Sequence, residues 1–498
     1  MLKLKNVKPS KALENLLRVR AVRSLSGVAI VTVLTKPYPC PGKCLYCPSE
    51  KDMPKSYLKN EPAAARAYLM KFNPYKQVRL RLHALQENGH PTDKIELIVL
   101  GGTWSAYPNN YQYWFIKECF RACNQKDLKL KVRSEKLALS KIEGLKIESL
   151  RKLLKKEQRI NETAGNRIIG LTLETRPDYV NLEEIIRMRD LGCTRIELGA
   201  QTIYDDVLKK NRRGHTVNQT IYATRLLKDA GFKINYHIML NLPGSNLKHD
   251  AKILTTLFSN PDFQPDLLKI YPCSVLKTAP LYRLWQKGGY KPYTQKQLFN
   301  LLLKIKREIP PYVRVQRIIR DIPSDGIVAG SQITNLRQLI DNSGRKICCC
   351  IRCREVKAGT PAKNPKLFRQ DYPASGGKEI FLSFEDTKRK KLYALLRLRI
   401  PSSASETLPV LKNAALIREL HTYGRLAPLN ANTILDSNSD KKFTQHKGFG
   451  KRLMGKAEKI VKKETPLRRI AVISGIGVRE YYKNLGYGLK DEYMIKNL

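Results

Sequence analysis

Gly27-Val-Ala-Ile-Val-Thr-Val-Leu34, followed by Lys36-Pro-Tyr-Pro-Cys40-Pro-Gly-Lys-Cys44-Leu-Tyr-Cys47-Pro48, decides how the rest of the chain is read. The first part is a short apolar run rich in β-branched residues, the pattern of a buried strand. The second carries three cysteines at Cys-x-x-x-Cys-x-x-Cys spacing, so one compact loop can aim three thiolates at one centre. Thiolates hold iron–sulfur clusters, and a cluster held by protein alone normally takes four of them. Three would leave one iron open to bind and reduce a small molecule. A zinc knuckle, or thiols with no shared centre, fits the spacing too. The loop's position after a strand favours chemistry, because parallel barrels carry their active sites on such loops.

The chain has 498 residues, enough for more than one domain and for large cores. Apolar residues make up 42% and charged residues 27%, the balance of a globular protein. Lys and Arg number 92 against 44 Asp and Glu, a formal net charge of +48. A generally lysine-rich surface accounts for part of that excess, but its size points to a polyanionic partner. Nucleic acid suits it better than a membrane: there is no apolar run long enough to span a bilayer, and no signal peptide. The 11 cysteines then suit a reducing, cytoplasmic setting and metal ligation, not disulfides.

Strand-like runs alternate with helical ones. They are Ile95–Leu100, Ile168–Leu173, Arg195–Gly199, Lys233–Leu240 and Leu267–Tyr271. Polar and glycine residues follow their ends, including Gly101-Gly102-Thr103, Glu174-Thr-Arg176, Ala200-Gln201 and Asn241-Leu-Pro-Gly244. With Gly27–Leu34 the count is six. Strand–helix alternation implies a parallel sheet with right-handed crossovers, and the expected fold is α/β, an open, partial parallel β/α barrel. A doubly wound sheet has the same periodicity. A helix is expected from Pro62, at its first turn, to Gly89, with a break at Asn73-Pro74.

Domain organisation follows from shifts in composition. Residues 1–25 form a basic segment, and 26–320 the barrel, with a basic helical insertion at 124–166. Residues 321–378 read as a linker around Cys348-Cys-Cys350-Ile-Arg-Cys353. Residues 379–498, with alternating patterns at Ile380–Phe384 and Leu392–Leu398, form an α+β domain.

This last domain carries a second chemical pattern, Gln445-His446-Lys447-Gly448-Phe449-Gly450, a glycine turn opening a helix. Backbone N–H groups at a helix N-terminus make an anion site, and the glycines let a pyrophosphate approach closely. The pattern resembles the acetyl-CoA loop of the GCN5-related N-acetyltransferases. Strand Arg469–Ser474 and the pair Tyr481-Tyr482 follow in the order such domains show. A tyrosine there can sit by the thioester as proton donor; otherwise both only pack. Cys348, Cys350 and Cys353 fit a structural zinc with a fourth ligand from elsewhere, His421 being the candidate. Cys349 suits less well, since adjacent strand residues point apart. A reduced thiol cluster without metal is the alternative.

Together the two patterns resemble the Elongator protein 3 family of tRNA uridine-modifying enzymes, which pair a radical S-adenosylmethionine (SAM) barrel with an acetyltransferase-like domain. Similar motifs run from Ser26-Gly-Val-Ala29 through Glu197-Leu-Gly-Ala-Gln201, Arg213-Gly-His-Thr216 and Lys269-Ile-Tyr-Pro272 to Arg418-Glu-Leu-His421. Pro48-Ser49-Glu50 stands where the family has Pro-Gly-Gly, the N-terminal region is shorter, and Cys349 is an extra thiol. The resemblance implies that Cys40, Cys44 and Cys47 hold a [4Fe–4S] cluster, reduced by an external electron donor, that cleaves SAM to a 5′-deoxyadenosyl radical. Gly101 and Gly102 would face SAM. Glu174, Arg176 and a catalytic Lys269 would line the barrel mouth, or else form structural ion pairs. Residues Gln445 to Gly450 would bind acetyl-CoA, with Tyr481 or Tyr482 at the thioester. The product would be 5-carboxymethyluridine at the wobble position of a tRNA anticodon stem-loop, whose splayed bases and 2′-OH groups mark RNA. A homodimer or accessory subunits are left open. Two rivals are a tRNA-binding scaffold impaired in catalysis and a protein lysine acetyltransferase that uses only the C-terminal domain.

Overall fold

The computed structural model describes residues 27–125, 144, 146–333, 335–342, 348–356, 364–402, 408–424 and 448–498. The basic segment 1–25, residues 126–143 and 145 of the insertion, and Gln445, His446 and Lys447 lie outside the described residues.

The apolar runs become parallel strands: β1 (Ala29–Leu34), β2 (Lys94–Leu100), β3 (Arg167–Thr175), β4 (Arg195–Gln201), β5 (Lys233–Leu240), β6 (Leu267–Pro272) and β7 (Arg314–Arg317). They pair in strict order from β1 to β7. A doubly wound sheet reverses its strand order at a switch point, so the sequential order excludes it. β1 and β7 do not pair, and the barrel stays open. The seventh strand corrects the count of six. Arg-Val-Gln-Arg is too short to show a period, and only Val315 reaches the core. The expected helical break also forms: one helix covers Pro62–Leu69 and a second Pro74–Glu87. Asn73 caps the second by accepting from the Lys76 N–H at 3.0 Å.

A second, mixed sheet has the order β13-β14-β12-β11-β10-β9-β8. Its strands are β8 (Lys366–Ala374), β9 (Gly377–Glu385), β10 (Leu392–Ile400), β11 (Ala414–Thr422), β12 (Arg469–Val472), β13 (Gly488–Lys490) and β14 (Tyr493–Asn497). β8 lies inside the stretch read as a linker. It is an edge strand with a largely wet surface, so its sequence carries little apolar alternation. β11 and β12 run parallel only from Ala414–Ile417 against Arg469–Val472. Leu420, His421 and Thr422 continue beyond the last paired residue, which opens a wedge between the two strands.

The second sheet docks on the N-terminal ends of the barrel strands, the end opposite the cysteine loop. Close approach there requires glycine: a Cβ on Gly475 would come within 2.0 Å of the Ile169 carbonyl oxygen, and one on Gly477 within 2.5 Å of Arg167 Cβ. Buried charges pair across the interface. Arg418 reaches Asp266 at 2.5 and 2.8 Å and Glu379 at 2.9 Å, Arg399 reaches Asp229 at 2.6 Å, and Lys228 stands 3.7 Å from both Asp266 and Glu379. Tyr312 and Tyr372 stack beside them with ring centroids 3.9 Å apart. Among the described residues no helix is long and apolar enough to cross a membrane.

Candidate active site

The cysteine loop leaves the end of β1 and is tied down by backbone bonds. Leu45 N–H donates to the Asn211 carbonyl at 3.1 Å, Leu281 N–H to the Leu45 carbonyl at 2.8 Å, and Ser49 N–H to the Thr278 carbonyl at 3.0 Å. Gly42 N–H faces Cys40 Sγ at 3.4 Å, and Arg213 Nη1 faces Cys44 Sγ at 3.6 Å. Burial pushes the metal-free Cys47 thiol up to about 12, so metal binding has to displace its proton. The three sulfurs are not all within 4.8 Å of one another, whereas those of Cys348, Cys350 and Cys353 are. Four thiolates around one tetrahedral zinc stand about 3.8 Å apart, given bonds near 2.3 Å. Cys40 and Cys44 sulfurs flank Gly42, 3.6 and 3.5 Å from where its Cβ would be, and with Cys47 they form a three-thiolate donor set of the kind that holds an iron–sulfur cluster.

Gly101 and Gly102 follow β2 with φ of +134° and +89°, conformations that glycine takes freely. A Cβ on Gly101 would lie 1.8 Å from Thr35 Oγ1, so the loop closes directly on the chain leading to the cysteines. Arg176 forms a bidentate pair with Asp178 at 2.9 and 2.7 Å, while its Nη1 is buried without a partner. Nη1 lies 2.6 Å from where a Gly42 Cβ would be, so a side chain there would have to displace the guanidinium.

Below the loop a polar chain crosses the barrel. Tyr57 OH donates to Glu174 at 2.9 Å, Glu174 faces His237 at 3.7 Å, and His237 Nε2 bonds Glu197 at 2.8 Å. Glu197 also accepts from Lys269 Nζ. Burial pushes the Glu197 carboxyl up, but Lys269, His237 and Arg195 outweigh it and hold it well below the usual range. Burial pulls Lys269 down, yet Glu197, Tyr271 and Glu174 raise it above the ordinary value. The two are therefore an ion pair. Arg320 closes the mouth by bonding Ser56 Oγ at 3.0 Å and Glu61 at 2.7 Å. Sequence reasoning missed Tyr57, Glu197, His237, Arg213 and Arg320 as site residues. Glu197 and Arg213 lay inside quoted motifs, but nothing local marks Tyr57.

In the second sheet's domain, Gly448 precedes helix Phe449–Glu464 at φ +67°, with nothing within 4 Å of where its Cβ would be. Among the described residues no side chain caps this N-terminus. The Tyr481 hydroxyl sits 2.8 Å from the would-be Cβ of Gly450. Tyr481 is 40% exposed and Tyr482 only 7%, so Tyr481 addresses the turn while Tyr482 packs. His421 is not gathered with the three thiols. Its side chain lies against the Tyr423 ring at 4.3 Å, and burial pulls it down to about 4 despite Glu419, leaving a neutral imidazole. Cys350 and Cys353 sulfurs are 3.6 Å apart, and Cys349 is exposed.

One cavity of about 1140 Å³ is lined by Cys47, Tyr57, Glu174, His237 and Lys269, and also by His421, Gly448, Gly450, Tyr481 and Tyr482. It passes residues at the barrel floor, among them Lys94, Thr194 and Lys233.

The Radical SAM superfamily pattern matches residues 38–257, and that of the radical SAM C-terminal domain residues 265–346. The chain is 44% identical over 506 residues to the tRNA uridine(34) acetyltransferase of Methanocaldococcus jannaschii, covering 98% of this chain and 88% of that protein. It is 37% identical over 509 residues to Elongator complex protein 3 of Bos taurus, covering 98% and 87%. The solved structure of the archaeal Methanocaldococcus infernus Elp3 with an N-terminus deletion (1–46) superposes with a TM-score of 0.77 at 40% identity, covering 95% of this chain and 100% of that one. Matched along nearly its whole length, in both sheets and in the cysteine loop, the chain belongs to the family of tRNA uridine(34) acetyltransferases and Elongator complex protein 3, within the radical SAM superfamily.

Proposed function

We propose that this chain forms 5-carboxymethyluridine at the wobble uridine of tRNA from SAM and acetyl-CoA. The observation that supports this best is the cavity shared by the cysteine loop and the Gly448 turn. Two independent activities need no common space, whereas joining an acetyl-derived carbon to a base does.

On this reading the barrel holds the radical chemistry, the second sheet from β8 onward the acyl donor, and the stretch between them the tether. Cys40, Cys44 and Cys47 hold the [4Fe–4S] cluster. When bound, it supplies the electron that splits SAM into a hydrogen-abstracting radical, the step that belongs to the cofactor and not to side chains. Gly101 and Gly102 leave backbone room for SAM. Lys269, kept charged by Glu197, presents a fixed cation to a uracil carbonyl. Free N–H groups at the Gly448 turn take the pyrophosphate of acetyl-CoA. Tyr481, a phenol at neutral pH because burial raises it, gives a proton to the departing thiolate when the thioester is hydrolysed. Zinc at Cys348, Cys350 and Cys353 ties the segment between the sheets, with a fourth ligand other than His421. The net charge of +48 draws in the anticodon stem-loop.

The test is an anaerobic reaction of reconstituted protein with dithionite, SAM, acetyl-CoA and a tRNA transcript. Release of 5′-deoxyadenosine, free CoA and a modified nucleoside are followed together. All three should depend on tRNA. Bound tRNA with none of them would favour the scaffold reading. Acetylation of a lysine peptide without iron would favour the protein acetyltransferase.

A further inference from the structure

We infer that Arg213 sets the reduction potential of the cluster by placing an uncompensated, buried positive charge against Cys44. This rests on the reading of Cys40, Cys44 and Cys47 as cluster ligands.

Arg213 is 7% exposed and Cys44 5%, so neither is screened by bulk water. Arg213 Nη1 faces Cys44 Sγ at 3.6 Å, and Nη2 donates to the Gly199 carbonyl at 2.8 Å. The ion pairs within 4.0 Å among the described residues do not include Arg213. Asp178, a carboxylate that acts on it through space, is already committed to the bidentate pair with Arg176. Three guanidinium groups thus border the cysteine loop, and Arg176 and Arg320 carry their own counter-charges, Asp178 and Glu61, whereas Arg213 does not. The remaining candidate for neutralising Arg213 is the thiolate beside it.

Gly199 fixes this arrangement. A Cβ there would stand 2.4 Å from Arg213 Nη2, so only glycine lets the guanidinium settle against β4 and still reach the sulfur. The backbone contribution is small by comparison: the Gly42 N–H to Cys40 Sγ contact is a neutral donor at 3.4 Å.

Reduction adds one electron from an external low-potential donor, with no bond made or broken and no proton taken up. The cluster gains one negative charge. A nearby buried cation stabilises the reduced form more than the oxidised one, and hydrogen bonds to the sulfurs act in the same direction. In a site this dry the effect of a full charge is expected to reach at least about tenfold in the reduced-to-oxidised ratio. For a one-electron couple tenfold is about 59 mV.

The experiment is an EPR-monitored potentiometric titration of the anaerobically reconstituted full chain, without tRNA, with iron content measured in parallel. Arg213→Gln should keep its iron and lower the reduced-to-oxidised ratio at fixed potential by about tenfold or more. Arg213→Lys, which restores the charge without the fork, should fall between the two. A structural role alone would alter iron content or stability and leave the potential in place. An unchanged potential in iron-loaded Arg213→Gln overturns the inference. If that variant loses iron, Gly199→Ala is titrated in its place, since it displaces the guanidinium and leaves every cysteine intact. A lowered potential there supports the inference and an unchanged one overturns it. Absence of any cluster signal in the unmodified protein would instead refute the cluster reading itself.

Discussion

Replacing Asp266 by Asn removes one charge from the centre of the interface between the two sheets. Four cations (Lys228, Arg397, Arg399 and Arg418) and four carboxylates (Asp229, Asp266, Glu379 and Glu419) meet there. Asp266 is shielded from solvent and accepts from Arg418 at 2.5 and 2.8 Å and from the Ile234 N–H at 2.9 Å. An asparagine would present an NH2 group to one of these donors and leave three buried cations short of a partner. Breaking a buried pair in this way costs about 3–5 kcal/mol, since the remaining charge stays desolvated. The exposed triad of Arg369, Asp371 and Glu464 is the control, where Asp371→Asn should cost less than about 1 kcal/mol. Urea unfolding followed by tryptophan fluorescence measures the barrel alone, because Trp104, Trp114 and Trp285 all lie in it. Far-UV dichroism reports both sheets. Burial pushes the Asp266 carboxyl up, but Arg418, Lys228 and Arg397 hold it far below the usual range. Its contribution is therefore complete above the unfolded value near 3.9 and is lost only as pH falls through the much lower folded value. Lys228, which burial pulls down to about 8 and Asp266 holds up, loses that support in the variant, so the cost of Asp266→Asn should be full near pH 6 and ease as pH rises toward 8. A loss below about 1 kcal/mol near pH 6 would refute the claim that this charge holds the sheets together.

Cys44→Ala should abolish iron binding and SAM cleavage and leave acetyl-CoA binding in place; normal iron content after anaerobic reconstitution would contradict this. Gly448→Asp puts a negative charge and a side chain at φ +67° on the turn proposed for the pyrophosphate, and should weaken CoA by at least about tenfold in calorimetry through charge repulsion at the helix terminus. Elemental analysis should find one zinc per chain that Cys353→Ala loses, loosening the protein without changing the SAM site; no zinc in the unmodified protein would contradict this. Affinity for tRNA should fall steeply with salt, on a log–log slope of several, because phosphate contacts supply most of it; a flat dependence would remove the net charge as its cause.

The barrel was legible because its strands are buried on both faces and read as apolar runs with a period of their own. β7 was not, since Arg-Val-Gln-Arg is shorter than any period, and β8 was not, since an edge strand with wet side chains loses the alternation. The cysteine loop and the Gly448 turn were legible because their chemistry depends on spacing within a few residues. Tyr57, Glu174, His237, Glu197 and Lys269 meet across 212 residues of chain, from position 57 to 269, and no local pattern reports that they touch. His421 is the reverse case: its residue type suits a metal, but its ring packs on Tyr423 beside Glu419 and is not gathered with the three thiols.

The same polar strand residues explain how one cavity can join the two ends of the barrel. The cysteine loop lies at the C-terminal ends of the strands and the second sheet at their N-terminal ends. A closed barrel fills its interior with branched apolar side chains in layers, which would wall one centre off from the other. Here the strands stop short of closing, and the cavity's lining mixes apolar side chains such as Ile98, Met239 and Leu267 with Thr32, Gly170, Thr194, the pair Glu96–Arg195 and Lys269, which pairs with the buried Glu197. Such charges cost several kcal/mol each to bury alone, and pairing is what lets them stand in an interior without refilling it. Polar residues within strand patterns look like imperfections when only periodicity is read. In this fold they keep the passage open between the barrel mouth and the wedge of β11 and β12.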